Sequence, residues 1–185
     1  MQVADKVKVG LIGCGNISPQ YFNGCRAFQI LDLVACADLD VDLAKERAEE
    51  FEVEKAYSVE ELLADPSIEI AINLTVPSVH ALVNQQILEA GKHAHTEKPF
   101  AVEKADGQAV LKLAEEKGLR TGGAPDTFLG GGIQTCRKLI DDGWIGEPVA
   151  ATAFMAGHGP EGWHPNPDFF YKVGGGRCST WGLTI

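Results

Sequence analysis

Short apolar runs alternate with helix-period segments over the first two thirds of the chain. Val7 to Ile12 is apolar except at Lys8, the pattern of a buried parallel strand. The spacing then predicts a helix over residues 17–27, with Pro19 in its first turn, where proline is tolerated. Leu31 to Ala37 reads as a second strand, followed by a helix from Val41 to Phe51 for which Asp40 is well placed as a cap. Lys55 to Tyr57 is a short strand. Ser58 and Glu61 make a capping box for a helix over Val59–Ala64, stopped by Asp65-Pro66. A strand from Ile68 to Val76 and a helix from about Val79 to Ala90 follow, and Gly91 ends that helix. His93 to Thr96 is strand-like. Val102, Ala105, Ala109, Val110, Leu113 and Ala114 predict a helix over Val102–Lys117, and Leu119 to Thr121 a last short strand before Gly122-Gly123. This alternation predicts an α/β fold with a doubly wound parallel sheet over residues 1–123.

The pattern changes after Gly123. Residues 124–132 read as a glycine-rich loop, Ile133–Asp142 as a helix ended by Gly143, and Val149–Met155 as a strand. Gly157–Pro167 is irregular and reads as a loop over a site. Residues 124–176 are thus expected to begin a second, α+β domain.

The first strand runs into Gly13-Cys14-Gly15-Asn16-Ile17-Ser18. A Gly-x-Gly turn between strand and helix is the opening of a Rossmann unit. The first glycine permits the tight turn, the second lets backbone approach a pyrophosphate, and helix-opening amides face the anion. Ser18 replaces the usual glycine or alanine and is small enough for helix–strand packing. Asp38 stands 25 residues after Gly13, close to the spacing of the acid that binds an adenosine ribose. Asp40 follows and no arginine comes directly after, so a ribose 2′-phosphate would meet negative charge. NAD is therefore favoured over NADP. Gly13–Ile17, Asp38, Thr75–Ser78 and Glu97–Pro99 all fall at strand C-terminal ends, the ligand-binding edge of such sheets.

The 185 residues carry a formal net charge of −10, which argues against nucleic acid or a membrane surface as a general partner. No apolar run approaches a membrane span and no leader pattern precedes Val7. Cys14, Cys25, Cys36, Cys136 and Cys178 show no Cys-x-x-Cys spacing. They read as idle thiols in a reducing cytoplasm, with no metal site.

Further motifs carry a family resemblance. These are Thr75-x-Pro77-x-x-His80, the run Ala90-Gly91-Lys92-His93 to Glu97-Lys98-Pro99, and Gly143-x-Ile145-Gly146-Glu147-Pro148. With the glycine turn and Asp38, they resemble the Gfo/Idh/MocA family of NAD(P)-dependent oxidoreductases, from Val7 to about Gly176. The resemblance implies that Gly13, Gly15, Asn16 and Ile17 hold the pyrophosphate and Asp38 the adenosine ribose. It implies that Thr75, Pro77 and His80 surround the nicotinamide and its ribose, that Glu97 contacts a ribose, and that Lys98 is the catalytic lysine, with Lys98-Pro99 a cis peptide. Hydride transfer at a carbinol needs a group to exchange the hydroxyl proton, a task an amine performs. Trp163 and His164 resemble a substrate-side loop able to contact a sugar-like ligand, or else a proline-braced loop packing its own aromatics. The expected activity is hydride transfer between nicotinamide and a hydroxyl-bearing carbon of a sugar or cyclitol derivative, by a homo-oligomer in its full-length form. Two rivals stay open: a nucleotide-binding fragment without turnover, and a redox-neutral glycosidase or lyase using bound NAD.

The chain departs from the family in length and at its end. Members are about twice as long, and this branch continues Gly-Gly-Gly with Pro-Leu-Phe-Asp-Met-Gly-Pro-Tyr-Tyr or similar. Here Arg177–Ile185 follow Gly176. Back-translation read from each third codon base admits the family residue at every position, and Trp181 into Gly182 compels glycine. The expectation is a reading-frame slip near Gly176, with residues 177–185 out of frame. A coding sequence whose shifted frame lacks Asp-Met-Gly-Pro-Tyr-Tyr would reject it.

Overall fold

The computed structural model describes residues 6–152, 154, 157–172 and 174–175. Two compact units divide between Ala124 and Pro125. The first is a parallel sheet flanked by helices. Its elements are β1 Val7–Ile12, α1 Ser18–Ala27, β2 Leu31–Ala37, α2 Val41–Glu50, β3 Lys55–Tyr57 and α3 Val59–Ala64. There follow β4 Ile70–Asn73, α4 His80–Glu89, β5 His93–Thr96, α5 Lys104–Glu116 and β6 Thr121–Gly123. The strand order β3-β2-β1-β4-β5-β6, every pair parallel, is a Rossmann-type arrangement whose order reverses between β1 and β4.

Alternation along the strands divides the core between the two sheet faces. Val9 and Leu11 of β1 join Phe22 and Cys25 of α1 and Ala44 and Ala48 of α2. Ile12, Val34 and Ala71 join Leu62 of α3, Val83 and Ile87 of α4, and Val110 of α5. Phe22 stacks on Phe51, ring centroids 4.6 Å apart, which pins α1 against the end of α2. Cys14, Cys25 and Cys36 are buried free thiols, whereas Cys136 is exposed. The hydrogen bond between Cys14 and Cys36, together with burial, pushes the Cys14 thiol up. Cys178 and the whole 177–185 segment lie outside the described residues.

Local signals are realised where expected. Asp40 caps α2, its Oδ1 accepting from the amides of Asp42 and Leu43. Ser58 and Glu61 form the reciprocal capping box of α3. Boundaries differ where tertiary contacts intervene. The fourth strand is shorter than 68–76, because the Ile68 amide closes a turn onto Asp65 O and Thr75 is turned onto the Asn73 side chain. A 3₁₀ turn over Pro77–Val79 precedes α4. Glu103 is extended, so α5 begins at Lys104 and excludes Val102. The Leu119 amide still closes α5 onto Ala114 O, so the last strand begins at Thr121, not Leu119.

In the second unit, α6 spans Gly131–Asp141, starting two residues and ending one residue earlier than expected. Residues 149–152 and 154 form no strand, against the expectation for Val149–Met155; Val149 and Phe154 are 94% and 92% exposed. Strand geometry persists only where neighbouring backbone pairs with its N–H and C=O groups, and among the described residues no such ladder reaches these; residues 153 and 155 lie outside the described residues.

One ion pair yields a pH prediction. Asp65 accepts from Lys55 Nζ (2.8 Å), the Ser67 amide (2.9 Å) and Ser67 Oγ (2.7 Å). The Lys55 hydrogen bond, seconded by Ser67, holds its carboxyl far below the usual carboxylate range. A depressed folded-state value contributes stability that is complete above about pH 4 and is lost as pH falls below it. Urea unfolding is expected to show wild type's advantage over Asp65→Asn intact at pH 7 and clearly smaller at pH 2, the loss beginning only below about pH 4. Curves separated by the same interval at both pH values would refute this.

Candidate functional site

The site is built at the C-terminal ends of β1, β2, β4 and β5. Gly13 has φ +102°, and a Cβ there would lie 2.8 Å from the carbonyl carbon and oxygen of Leu74. Both the left-handed backbone and the close approach of β4 therefore demand glycine. Gly15 is different: a Cβ there would meet nothing within 4 Å. Its missing side chain relieves no contact within the protein and leaves the outer face of the turn open. Ser18 is buried and donates from Oγ to Gly15 O at 2.8 Å, so its hydroxyl is satisfied while it fixes the turn. Ile17, at the N-cap of α1, supplies no side-chain cap, as at a helix end that receives an anion. Asn16 is exposed beside it.

Asp38 is tied to this turn. Its Oδ2 accepts the Cys14 amide at 2.7 Å and its Oδ1 the Asp40 amide at 3.0 Å. Arg47 of α2 donates from Nε to Cys14 O at 3.3 Å and pairs with Glu50. Both peptide groups of Cys14 are thus held from the β2–α2 side.

The β4 and β5 loops are joined beneath the edge. Buried Asn73 donates to His80 O (3.1 Å) and Asn84 Oδ1 (2.9 Å), and accepts from the Thr75 amide (3.2 Å) and Thr75 Oγ1 (2.6 Å). His80 is also buried, with Nδ1 2.6 Å from Pro99 O and Nε2 2.8 Å from Thr75 O. With both ring nitrogens within hydrogen-bonding distance of backbone carbonyls, His80 braces the two loops. The Lys98-Pro99 peptide is cis. Glu97 is anchored through its amide to Asn73 O at 2.9 Å. Its Oε1 accepts from the Tyr21 hydroxyl at 2.7 Å and its Oε2 from the Lys98 amide at 2.8 Å. Lys98 is half-buried next to it.

A cavity of about 670 Å³ opens at this edge. Gly13, Gly15, Asp38 and Thr75 line it, together with apolar residues such as Leu63 and Val79. Asn16, Ile17, Pro77, His80, Glu97 and Lys98 do not line it; Pro77 opens the 3₁₀ turn before α4. An open glycine cradle, an uncapped helix start, a fixed carboxylate and an apolar recess match the parts of a dinucleotide, so the residues present fit a nicotinamide dinucleotide. Gly13, Gly15, Asn16 and Ile17 would hold its pyrophosphate, Asp38 its adenosine ribose.

Tyr21, Arg47, Asn73 and Asn84 escaped the sequence reading. Asn73 carries one usable signal, a polar residue ending an otherwise apolar strand; the others have none outside three dimensions. In the second unit, His164 meets Phe169 and Phe170 edge-on, and Trp163 meets His164 and Phe170. Trp163 and His164 thus belong to a loop that packs its own aromatics.

Comparison with known proteins places this geometry. Residues 7–122 match the oxidoreductase family with an NAD-binding Rossmann fold. The scyllo-inositol 2-dehydrogenase (NADP(+)) IolW of Bacillus subtilis is 29% identical over 140 residues, 75% of this chain and 38% of its own. The 1,5-anhydro-D-fructose reductase of Ensifer adhaerens is 28% identical over 158 residues, 83% of this chain and 47% of its own. The crystal structure of KijD10, a 3-ketoreductase from Actinomadura kijaniata in complex with NADP, is similar at TM-score 0.73 and 25% identity, over 77% of this chain and 46% of that one. The chain therefore spans less than half the length of these relatives. With the family match covering most of the described sheet and its glycine turn, the chain belongs to the Gfo/Idh/MocA oxidoreductase family.

Proposed function

We propose that this chain is the nucleotide-binding part of an NAD-dependent oxidoreductase acting on a hydroxyl-bearing carbon of a sugar or cyclitol derivative. The observation that carries the reading is the single cavity shared by the open Gly15 turn, the tethered Asp38 carboxylate and Thr75. The polyol and sugar chemistry named for the two bacterial relatives supports the substrate class. Bound nicotinamide would supply the hydride acceptor or donor. Lys98, held in its loop by Glu97 and the His80 brace, would exchange the hydroxyl proton. Residues 124–176 would begin the substrate domain, with Trp163 and His164 on its substrate side, in a protein that forms a homo-oligomer at full length.

Asp38 favours NAD, although relatives named above use NADP. Its carboxylate is oriented by two amides, and Asp40 follows it, so a 2′-phosphate would meet fixed negative charge. Titration by nicotinamide fluorescence is expected to show NADH binding at least about tenfold tighter than NADPH, or about 1.4 kcal/mol. Asp38→Asn keeps an acceptor for the Cys14 amide and removes the charge, so it should narrow the gap to about threefold. Equal wild-type affinity for both would overturn the preference for NAD. Binding of neither would overturn the dinucleotide reading.

A further inference from the structure

We infer that Tyr21 is a positioning residue for the Lys98 loop, acting through Glu97; the inference rests on the nucleotide reading above. Tyr21 sits in α1, the helix that opens at the glycine turn. Its hydroxyl donates to Glu97 Oε1 at 2.7 Å, across 76 residues of sequence and from one strand crossover to another. The other carboxylate oxygen accepts the Lys98 amide at 2.8 Å. A carboxylate at the end of a flexible side chain loses rotational freedom when it folds back on its neighbour's amide, and a second partner that holds it lowers that cost. The phenol does this, and its own position is fixed: Ser18 is buried, Phe22 stacks on Phe51, and Tyr21 packs on the same core. Glu97 is tied at its amide to Asn73 O. Backbone from β4 and a hydroxyl from α1 therefore hold one carboxylate, and that carboxylate holds the amide of Lys98. A carboxylate has about four acceptor directions. The tyrosine and the amide use one on each oxygen, and acceptor capacity toward a ribose hydroxyl is retained. Through this contact the helix that receives the pyrophosphate sets the loop that carries the amine.

The test uses the full chain with Tyr21→Phe, Glu97→Gln and the double variant. Two quantities are read: NADH affinity, and hydrogen exchange of the Lys98 amide without nucleotide. Each single variant is expected to weaken NADH about three- to tenfold, and the double to be little worse than either, the mark of one shared contact. The Lys98 amide is expected to exchange at least about fivefold faster in Tyr21→Phe, with the melting temperature nearly unchanged. Additive losses, or affinity and Lys98 exchange both unaltered in Tyr21→Phe, would overturn the inference. So would a Tyr21→Phe chain that no longer folds, since the hydroxyl would then serve the fold. Should wild type not bind NADH, the nucleotide reading falls, and the exchange rate alone decides whether Tyr21 holds the loop.

Discussion

Gly13→Ala is expected to cost the chain about 2–5 kcal/mol of stability, while Gly15→Ala leaves stability within about 0.5 kcal/mol and weakens NADH at least tenfold. The two glycines stand two residues apart, yet their surroundings are opposite. At Gly13 the backbone has φ +102°, which strains an L residue by roughly 1–2 kcal/mol. The added Cβ would also lie 2.8 Å from backbone atoms of Leu74, which cannot swing aside as a side chain tip would. Overpacking of that kind costs about 1–3 kcal/mol more. At Gly15 no atom lies within 4 Å of the Cβ position, so the folded chain accepts the methyl. Only a ligand laid against the turn would meet it. Thermal melting and NADH titration of both variants separate the effects. A Gly15→Ala chain that binds NADH like wild type would end the assignment of this turn to a pyrophosphate.

Asn73→Ala is expected to destabilise by about 3–5 kcal/mol. The side chain is wholly buried and its amide makes four hydrogen bonds. Truncation takes that partner from the Thr75 amide and hydroxyl, which border the cavity, and strands His80 O and Asn84 Oδ1 in the buried interior. Each stranded buried group costs about 1–3 kcal/mol before any relaxation. Asn84 has little to offer in compensation, since its own Nδ2 already lacks a partner among the described residues. Urea unfolding should show a lower midpoint at unchanged slope, because the loss is of contacts rather than of compactness. A loss under about 1 kcal/mol would mean that the loop after β4 is held by other means.

What could be read from the sequence was what is decided locally. Asp40, Ser58 and Glu61 act on amides two or three residues away, so their spacing alone announces the caps. Gly13 and Asp38 are legible because a strand–turn–helix unit repeats a fixed geometry. The limits of β4 and β6 were not legible, since they depend on which neighbour takes each amide. At the described residues 149–152 and 154 the expected strand does not form for the same reason: apolar alternation describes a face, and a face makes no strand without a partner. His80 was recognised in its motif, but its work depends on two carbonyls, five and 19 residues away. Tyr21 and Glu97 stand 76 residues apart and meet only because the fold brings α1 to the end of β5.

The tether between Asp38 and the Cys14 amide has an evolutionary consequence. Substitution at position 38 passes through a bottleneck, because the carboxylate proposed to face the coenzyme also closes the turn. A lineage moving toward a phosphorylated coenzyme must first recruit another acceptor for that amide, so asparagine, serine or threonine at position 38 is an open path and alanine or glycine a blocked one.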